Sequence, residues 1–195
     1  MVFGLRRGFS GSRRGVQLRI DAAEATVLGE MLQQLDSLVG PQDNPAGVSD
    51  DPLASLLGTA DADRPEDPAV LRLFPDGYLD DPEAAGDFRR FTQGGLRQQK
   101  SERLHVSLDV LERIPPDGDK VHAVDLTPDE ATAFLVTIND LRLVLGVRLD
   151  IVADDQDVSD EWSDDDPRRA TYGAYQWLTW LQASLLDAMS RRKDV

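Results

Sequence analysis

Two apolar stretches in the C-terminal half decide the fold: TPDEATAFLVTINDLRLVLGVRL at 127–149 and DPRRATYGAYQWLTWLQASLLDAMSR at 166–191. The first opens with a capping box, because Glu130 follows Thr127 by three residues and Pro128 takes the first helical position. The second opens at Asp166-Pro167. We predict helices at 128–149 and 167–191 that pack antiparallel at the centre of the protein, because the connection between them is short.

That connection, 150–166, holds nine acidic residues and is predicted to be an acidic loop. It can be aligned to a calcium-binding loop that starts at Asp155 and ends at Asp166. The alignment fails at the two strictest positions, since Asp160 replaces the glycine and Asp166 replaces the longer bidentate glutamate. A solvated loop whose acids favour the start of the last helix is the better interpretation, and we expect no metal site.

The N-terminal half adds a small β element and two more helices. Residues 16–20 alternate as a strand, which could form a hairpin with a strand at 3–9, and 121–124 is a candidate third strand beside 16–20. A capping box at Asp21 and Glu24 begins one helix, and Asp81-Pro82 begins another that Pro115-Pro116 stops. Gly94-Gly95 should weaken or bend that helix, at about 1 kcal/mol per glycine relative to alanine. Alternatively, its two halves face different neighbours.

The predicted fold class is therefore mainly α: a single domain over 1–195, similar to a four-helix bundle, with a small N-terminal β element. Residues 40–70 contain five prolines and seven acids and are predicted to be a flexible acidic insert. The last helix is apolar around most of its circumference, which indicates enclosure by its own bundle or by a second subunit. Tyr175, Trp177 and Trp180 are the candidate interface residues.

Composition excludes several classes of function. The net charge is −15, which disfavours binding to phosphate backbones and anionic lipid. There is no cysteine and there are only two histidines, so thiol nucleophiles, disulfides and histidine-rich metal sites are ruled out. No apolar run approaches the ~20 residues of a membrane span. We expect a cytoplasmic protein with a protein partner and no cofactor, and a homodimer is one candidate state.

Arg142 is the most interesting single residue, because it falls close to the centre of the apolar stripe of its helix. A buried guanidinium needs partners, and we expect a carboxylate such as Glu102 or Asp109 on the neighbouring helix. The structural interpretation is a buried ion pair, which we favour; the functional one is an anion-binding arginine in a pocket. Glu102-x-x-His105 matches only half of a di-iron pattern, and the second half is absent from the sequence.

The first 20 residues carry arginines and no acid, so a basic hairpin is a candidate nucleic-acid contact through Arg6, Arg7, Arg13 and Arg14. The acidic charge of the whole molecule argues against it. The sequence contains no nucleophile elbow, phosphate-binding glycine loop or dinucleotide fingerprint, and no catalytic residue is predicted.

Three stretches together resemble a known family: Arg72–Asp76 through Asp80–Ala85 to Phe88–Arg90; then Asn139–Gly146; then Tyr172–Leu178 with Trp180-Leu181. They are similar to an uncharacterised actinobacterial family, domain of unknown function number two thousand and seventeen, over nearly the whole chain. Gly94-Gly95 departs from the family's usual helix formers. The resemblance implies no catalytic residues. It implies a genomic neighbourhood with a ClpS-type adaptor of the Clp protease, and some members are labelled transcriptional regulators.

The sequence therefore favours a non-enzymatic cytoplasmic protein that acts through protein contacts, and the family resemblance implies a link to regulated proteolysis. One alternative is a DNA-binding transcriptional regulator that uses the basic hairpin. The other is a small-anion sensor or enzyme built around Arg142.

Overall fold

The computed structural model describes residues 7–12, 15–40, 64–153, 162–163 and 165–191. Their elements in chain order are β1 (Gly8–Ser12), β2 (Gly15–Ile20), α1 (Ala22–Val39), α2 (Pro68–Leu73), α3 (Pro82–Leu111), β3 (His122–Leu126), α4 (Pro128–Arg148) and α5 (Arg168–Ser190). The prediction of a mainly helical fold with a small β element is confirmed. Among the described helices, none combines the length and apolarity that a bilayer span requires.

Both predicted capping boxes are present. Asp21 accepts a hydrogen bond from the Glu24 backbone at 2.9 Å, and Glu24 accepts one from the Asp21 backbone at 3.1 Å. Thr127 and Glu130 make the same exchange at the start of α4, at 3.2 and 2.8 Å. These bonds satisfy amide groups that have no partner inside the helix, which is why α1 and α4 begin where the sequence indicates.

The sheet is antiparallel with the order β1-β2-β3. The hairpin joins β1 to β2, with Phe9 opposite Leu18, although β1 begins at Gly8 and residues 3–6 lie outside the described part of the chain. The candidate third strand is confirmed and extends to Leu126; Val124 pairs with Leu18.

Helix α4 occupies the centre, where α5, α3 and α2 all pack against it. The α4–α5 pair is antiparallel, since Asn139 meets Gln182 and Gly146, further along α4, faces Tyr175, which comes earlier in α5. Phe134, Ile138 and Leu178 in this interior are fully buried. Helix α5 also lies against β1, where the Phe9 backbone donates to Ser184 Oγ at 3.1 Å.

Helix α3 runs through Gly94 and Gly95 without ending, over 30 residues. Its second half buries Leu104, Val110 and Leu111, whereas the large apolar side chains of its first half, Phe88 and Phe91, are exposed. The sequence offered two possibilities for this helix, a bend at the glycines or two halves with different surroundings. The structure shows halves with different surroundings.

Helix α2 was not predicted. It begins at Pro68, inside the stretch 40–70 that was assigned to a flexible insert, and Asp67 caps it by accepting a hydrogen bond from the Ala69 backbone at 2.8 Å. Ala69 and Val70 are buried, and the helix packs on α4. The assignment of 40–70 to a flexible insert is therefore wrong at 68–70, because this capped apolar segment forms a helix that packs on α4. Residues 41–63 lie outside the described residues.

Candidate functional site

The side chain of Arg142 extends from α4 to α5. Its Nε donates to Thr179 Oγ1 at 3.0 Å and its Nη2 to the Tyr175 hydroxyl at 3.4 Å, while Nη1 donates to Gln182 Oε1. The guanidinium carbon lies 5.4 Å from the centre of the Tyr175 ring. Residues 175, 179 and 182 share one face of α5 because they are spaced by four and three. This face holds the guanidinium in a fixed orientation.

The expected carboxylate partners of Arg142 lie elsewhere. Glu102 and Asp109 are exposed on α3, and Glu102 accepts a hydrogen bond from Gln98 at 3.0 Å. Helix α4 presents Asp140 to α3, and Arg142 is two residues, or about 200°, further round the helix. The choice of α3 as the source of partners is therefore corrected to α5, whose polar side chains receive Arg142.

A cavity of about 330 Å³ opens beside Arg142. Its polar lining includes Arg72 at the end of α2, together with Asn139, Arg142 and Tyr175. Two guanidinium groups, an amide and a phenol form a donor-rich wall, which is the chemistry that recognises a carboxylate or a phosphate. Arg142 itself is half-buried, so the cavity reaches a group that is held in place and still accessible.

A small aromatic cluster supports one wall of the cavity. Tyr175 stacks on Tyr172 with ring centroids 6.4 Å apart, and Trp162 meets Tyr172 edge-on at 5.8 Å. Arg169 donates to the carbonyl oxygens of Trp162 and Ser163, at 2.6 and 2.8 Å. Tyr175, a predicted interface residue, is thus buried within the fold.

The other two interface candidates differ from each other. Trp177 is partly buried against the main core. Trp180 is 45% exposed, and its ring covers β1 so closely that a Cβ at Gly8 would lie 2.7 Å from it. The face of α5 that includes Trp180 and Leu186 is exposed, so the described neighbours do not enclose the helix on every side.

The buried ion pair that was expected for Arg142 exists between α3 and α4 with different members. Lys100 Nζ lies 2.8 Å from both carboxylate oxygens of Asp140, which is 4% exposed. Burial raises the pKa of the Asp140 carboxyl, although Lys100 and Arg103 act in the opposite direction. No pattern in the sequence indicates this pair, because the stretch 97–103 is polar nearly all round.

Nearby, Arg97 supplies the positive charge that the last turn of α1 lacks. It donates to the carbonyl oxygens of Val39 and Gly40, at 2.8 and 3.0 Å, and its guanidinium lies 4.6 Å from the Phe74 ring centre. Burial lowers the pKa of Arg97. This contact caps the C-terminal end of α1.

Of the four arginines proposed to contact nucleic acid, Arg6, Arg13 and Arg14 lie outside the described residues. Arg7 pairs with Glu24 at 2.7 Å and with Asp21 at 2.9 Å, and the hydrogen bond and charge of Glu24 chiefly raise its pKa. The two carboxylates beside the guanidinium oppose the approach of a phosphate to Arg7.

Metal binding gains no support from the described residues, which contain no group of three potential ligands. His105 is exposed, with its Nδ1 2.9 Å from the Ser101 carbonyl oxygen. Most of the calcium-loop candidates, including Asp155, Asp160 and Glu161, lie in the part of the chain that is not described.

Comparison with protein families gives a match to the model described as "Domain of unknown function (DUF2017)" over residues 6–189. The chain belongs to this family. Curated relatives include the "Oxidative stress regulator AosR" of Mycobacterium tuberculosis H37Rv and of Mycobacterium bovis, each 30% identical over 92% of this chain and 90% of the relative. The "Putative oxidative stress regulator AosR" of Mycobacterium leprae is 27% identical over 85% of this chain and 78% of the relative. No solved structure matches the chain significantly.

Proposed function

We propose that this DUF2017 protein is a regulator that acts by binding another protein and does not catalyse a reaction. The observation that carries the proposal is the similarity to the proteins named AosR, which extends over nine-tenths of both chains and so includes the whole arrangement of helices. The acidic net charge of −15 and the exposed apolar side chains favour contacts with protein rather than with nucleic acid.

A regulator of this composition cannot sense oxidants through a thiol, since its 195 residues contain no cysteine. If it takes part in an oxidative stress response, we propose that the oxidant is detected by another component, such as the protein that it binds. The proposal therefore predicts that peroxide added to the purified protein leaves its partner affinity unchanged.

The test is a deletion of the gene in its host, with transcript and protein levels measured with and without peroxide. We expect a defined set of genes to change and to recover on complementation. The tagged protein should capture a specific partner at low salt when the complex is cross-linked before purification. An unchanged expression profile, together with a monomeric mass and no partner, would refute the proposal.

The more specific link to regulated proteolysis is a separate part of the proposal and rests on the family resemblance. It predicts that deletion lengthens the half-life of particular proteins in a translation-arrest chase. Changes in transcript level with unaltered protein half-lives would exclude that link while leaving a regulatory role intact.

The DNA-binding alternative is tested with Arg6→Ala/Arg13→Ala/Arg14→Ala. Deletion of residues 1–20 is unsuitable, because it would remove both strands of the hairpin. Retention on DNA at low salt that the triple variant loses would favour this alternative.

The cavity beside Arg142 favours a second candidate function, the binding of a small anion. Two arginines, Arg72 and Arg142, contribute to a polar wall next to a cavity large enough for a small metabolite. The experiment is a thermal-shift and calorimetric titration with inorganic phosphate, citrate and succinate. Arg72→Gln, which alters an exposed side chain, should weaken binding with little change in stability. No saturable binding at millimolar anion would rule this function out.

A further inference from the structure

The loop before α3 and the first half of that helix form an apolar surface patch, defined here as Tyr78, Leu79, Phe88 and Phe91. Their exposed fractions are 54%, 91%, 37% and 72%. Tyr78 meets Phe88 edge-on with ring centroids 6.2 Å apart, and Phe88 and Phe91 are three residues apart on one face of α3. The four side chains therefore form one surface.

The patch is large for a surface feature. A buried aromatic side chain covers about 150–250 Å², so these partial exposures leave on the order of 400 Å² of side-chain surface in contact with water. That is comparable to the largest apolar patch of a typical soluble monomer, which is often an interaction site. Scattered single exposures would need no explanation, but three contiguous aromatic rings do.

Acidic side chains surround this surface. Asp80 and Asp81 follow Leu79 directly, and Glu83, Asp87 and Phe91 form one row along α3 at intervals of four. All four carboxylates belong to exposed residues. Residues 76–91 contain five acids and two arginines; Arg89 is engaged with Asp76, and Arg90 lies 3.4 Å from the Asp87 carboxylate. The rim of the patch is therefore net negative.

We propose that this patch is the docking surface for a basic amphipathic helix of a protein partner. Large apolar side chains of the partner helix would cover Phe91 and Leu79, and flanking lysines or arginines would face Asp80, Glu83 and Asp87. This inference rests on the proposed function, since it names the surface and the chemistry through which the regulator binds.

Charge decides between this occupant and a second copy of the chain. A two-fold contact through the patch would bring the acidic rims of two molecules together, and each molecule carries a net charge of −15. The same acidic rim attracts a basic helix electrostatically. The contact is small, so the complex should be transient and its affinity should fall as salt rises.

The binding test uses labelled 20-residue helical peptides and the full chain, measured by fluorescence anisotropy. The basic peptide carries leucine and phenylalanine at i, i+3, i+4 and i+7 with lysine and arginine at the flanks. One control peptide keeps the apolar anchors and replaces the basic flanks with glutamate. The other keeps the basic flanks and replaces the anchors with serine. We expect each control to bind at least tenfold more weakly than the basic peptide.

On the protein, Leu79→Ser/Phe91→Ser should lower the affinity for the basic peptide at least tenfold. Asp80→Asn/Glu83→Gln/Asp87→Asn should lower it and flatten its salt dependence. The matched control is Leu186→Ser, which alters a half-exposed leucine on α5 and should change the affinity less than twofold. Equal affinity of wild type and Leu79→Ser/Phe91→Ser would overturn the proposal, because the attraction would then belong to the overall charge. A dimer in sedimentation that the same double variant abolishes would also overturn it.

Complementation of the deletion strain separates this inference from the proposed function. Rescue by wild type and loss of rescue with Leu79→Ser/Phe91→Ser support both. Equal rescue by the two proteins rejects the patch and leaves the regulatory role intact. If deletion of the gene changes no expression, the proposed function itself fails, whatever the peptides show.

Discussion

Helix α4 and the first half of α3 both contain phenylalanine, but the ring is buried in α4 and exposed in α3. Phe134 of α4 is fully buried and meets Phe9 edge-on with ring centroids 5.5 Å apart, whereas Phe91 of α3 is 72% exposed. Elements from the whole length of the chain pack around α4, including β1, α1 and α5. The comparison teaches that residue type does not distinguish a side chain that stabilises the fold from one that offers a surface. The neighbours make that distinction.

The largest expected difference between the two regions comes from one substitution made at both sites. Phe134→Ala should destabilise the fold by about 3–5 kcal/mol, because it removes a fully buried ring and leaves a cavity. Phe91→Ala should change the free energy of unfolding by less than about 0.5 kcal/mol. Urea denaturation followed by circular dichroism measures both. A comparable loss at Phe91 would mean that the ring packs on a neighbour, and the patch would then contribute to the core.

Lys100→Met should cost about 3–5 kcal/mol at pH 7, since it leaves the Asp140 carboxylate buried without its partner. The loss should depend on pH. The folded-state pKa of Asp140 is raised above its ordinary value of 3.8, so the contribution of this carboxyl to stability is fully present below pH 3.8 and is lost as pH rises through the raised pKa. Removal of the ammonium raises this pKa further, which makes the fall larger.

The measurement for Lys100→Met is the free energy of unfolding between pH 3.5 and 8, compared with Lys120→Met. Lys120 is 71% exposed, and its replacement removes the same charge from the surface. Parallel pH profiles for the two variants would show that Asp140 finds another partner or is hydrated. The α3–α4 interface around Asp140 would then be open to water, as the first half of α3 is.

Arg142→Met should destabilise the protein by about 1–3 kcal/mol, because Thr179, Gln182 and Tyr175 lose a donor in a half-buried site. The control is Arg191→Met, which removes an exposed pair with Asp187 one helical turn away and should cost less than about 0.5 kcal/mol. Thermal unfolding of both variants measures the two losses of stability. If Arg142→Met is as stable as wild type, the guanidinium does not stabilise the α4–α5 contact, and a role in binding a ligand in the adjacent cavity would be favoured.

The elements that could be predicted from the sequence are those with a local cause. Capping boxes at Asp21 and Thr127 determine where α1 and α4 begin, and the alternation at 16–20 determines β2. Helical spacing also indicates that Arg142 needs partners, and the structure places three of them on α5. In each case residues within one or two turns carry the information.

What could not be predicted depends on distant neighbours. Helical spacing placed Arg142 near an apolar stripe, but it cannot say which helix faces that stripe, so the partners were sought on α3 when they lie on α5. Lys100 and Asp140 are 40 residues apart, and no spacing rule relates them. Helix α2 could not be predicted, because six residues are too few to show a helical period. Its apolar side chains are buried only through packing on α4.

The smallest effect tests whether the first half of α3 is an ordinary exposed helix. A Cβ added at Gly95 would meet nothing within 4 Å, so Gly95→Ala should stabilise the protein by about 1 kcal/mol. The control, Gly77→Ala, would place a Cβ 2.8 Å from the Phe88 ring and should disturb the patch. Chemical denaturation and affinity for the basic peptide are measured on both. Unchanged peptide affinity in the stabilised variant means that the patch is preformed. Weaker affinity would mean that α3 must bend at its glycines to receive a partner. Binding by the exposed half of the helix would then depend on its flexibility rather than on a preformed shape.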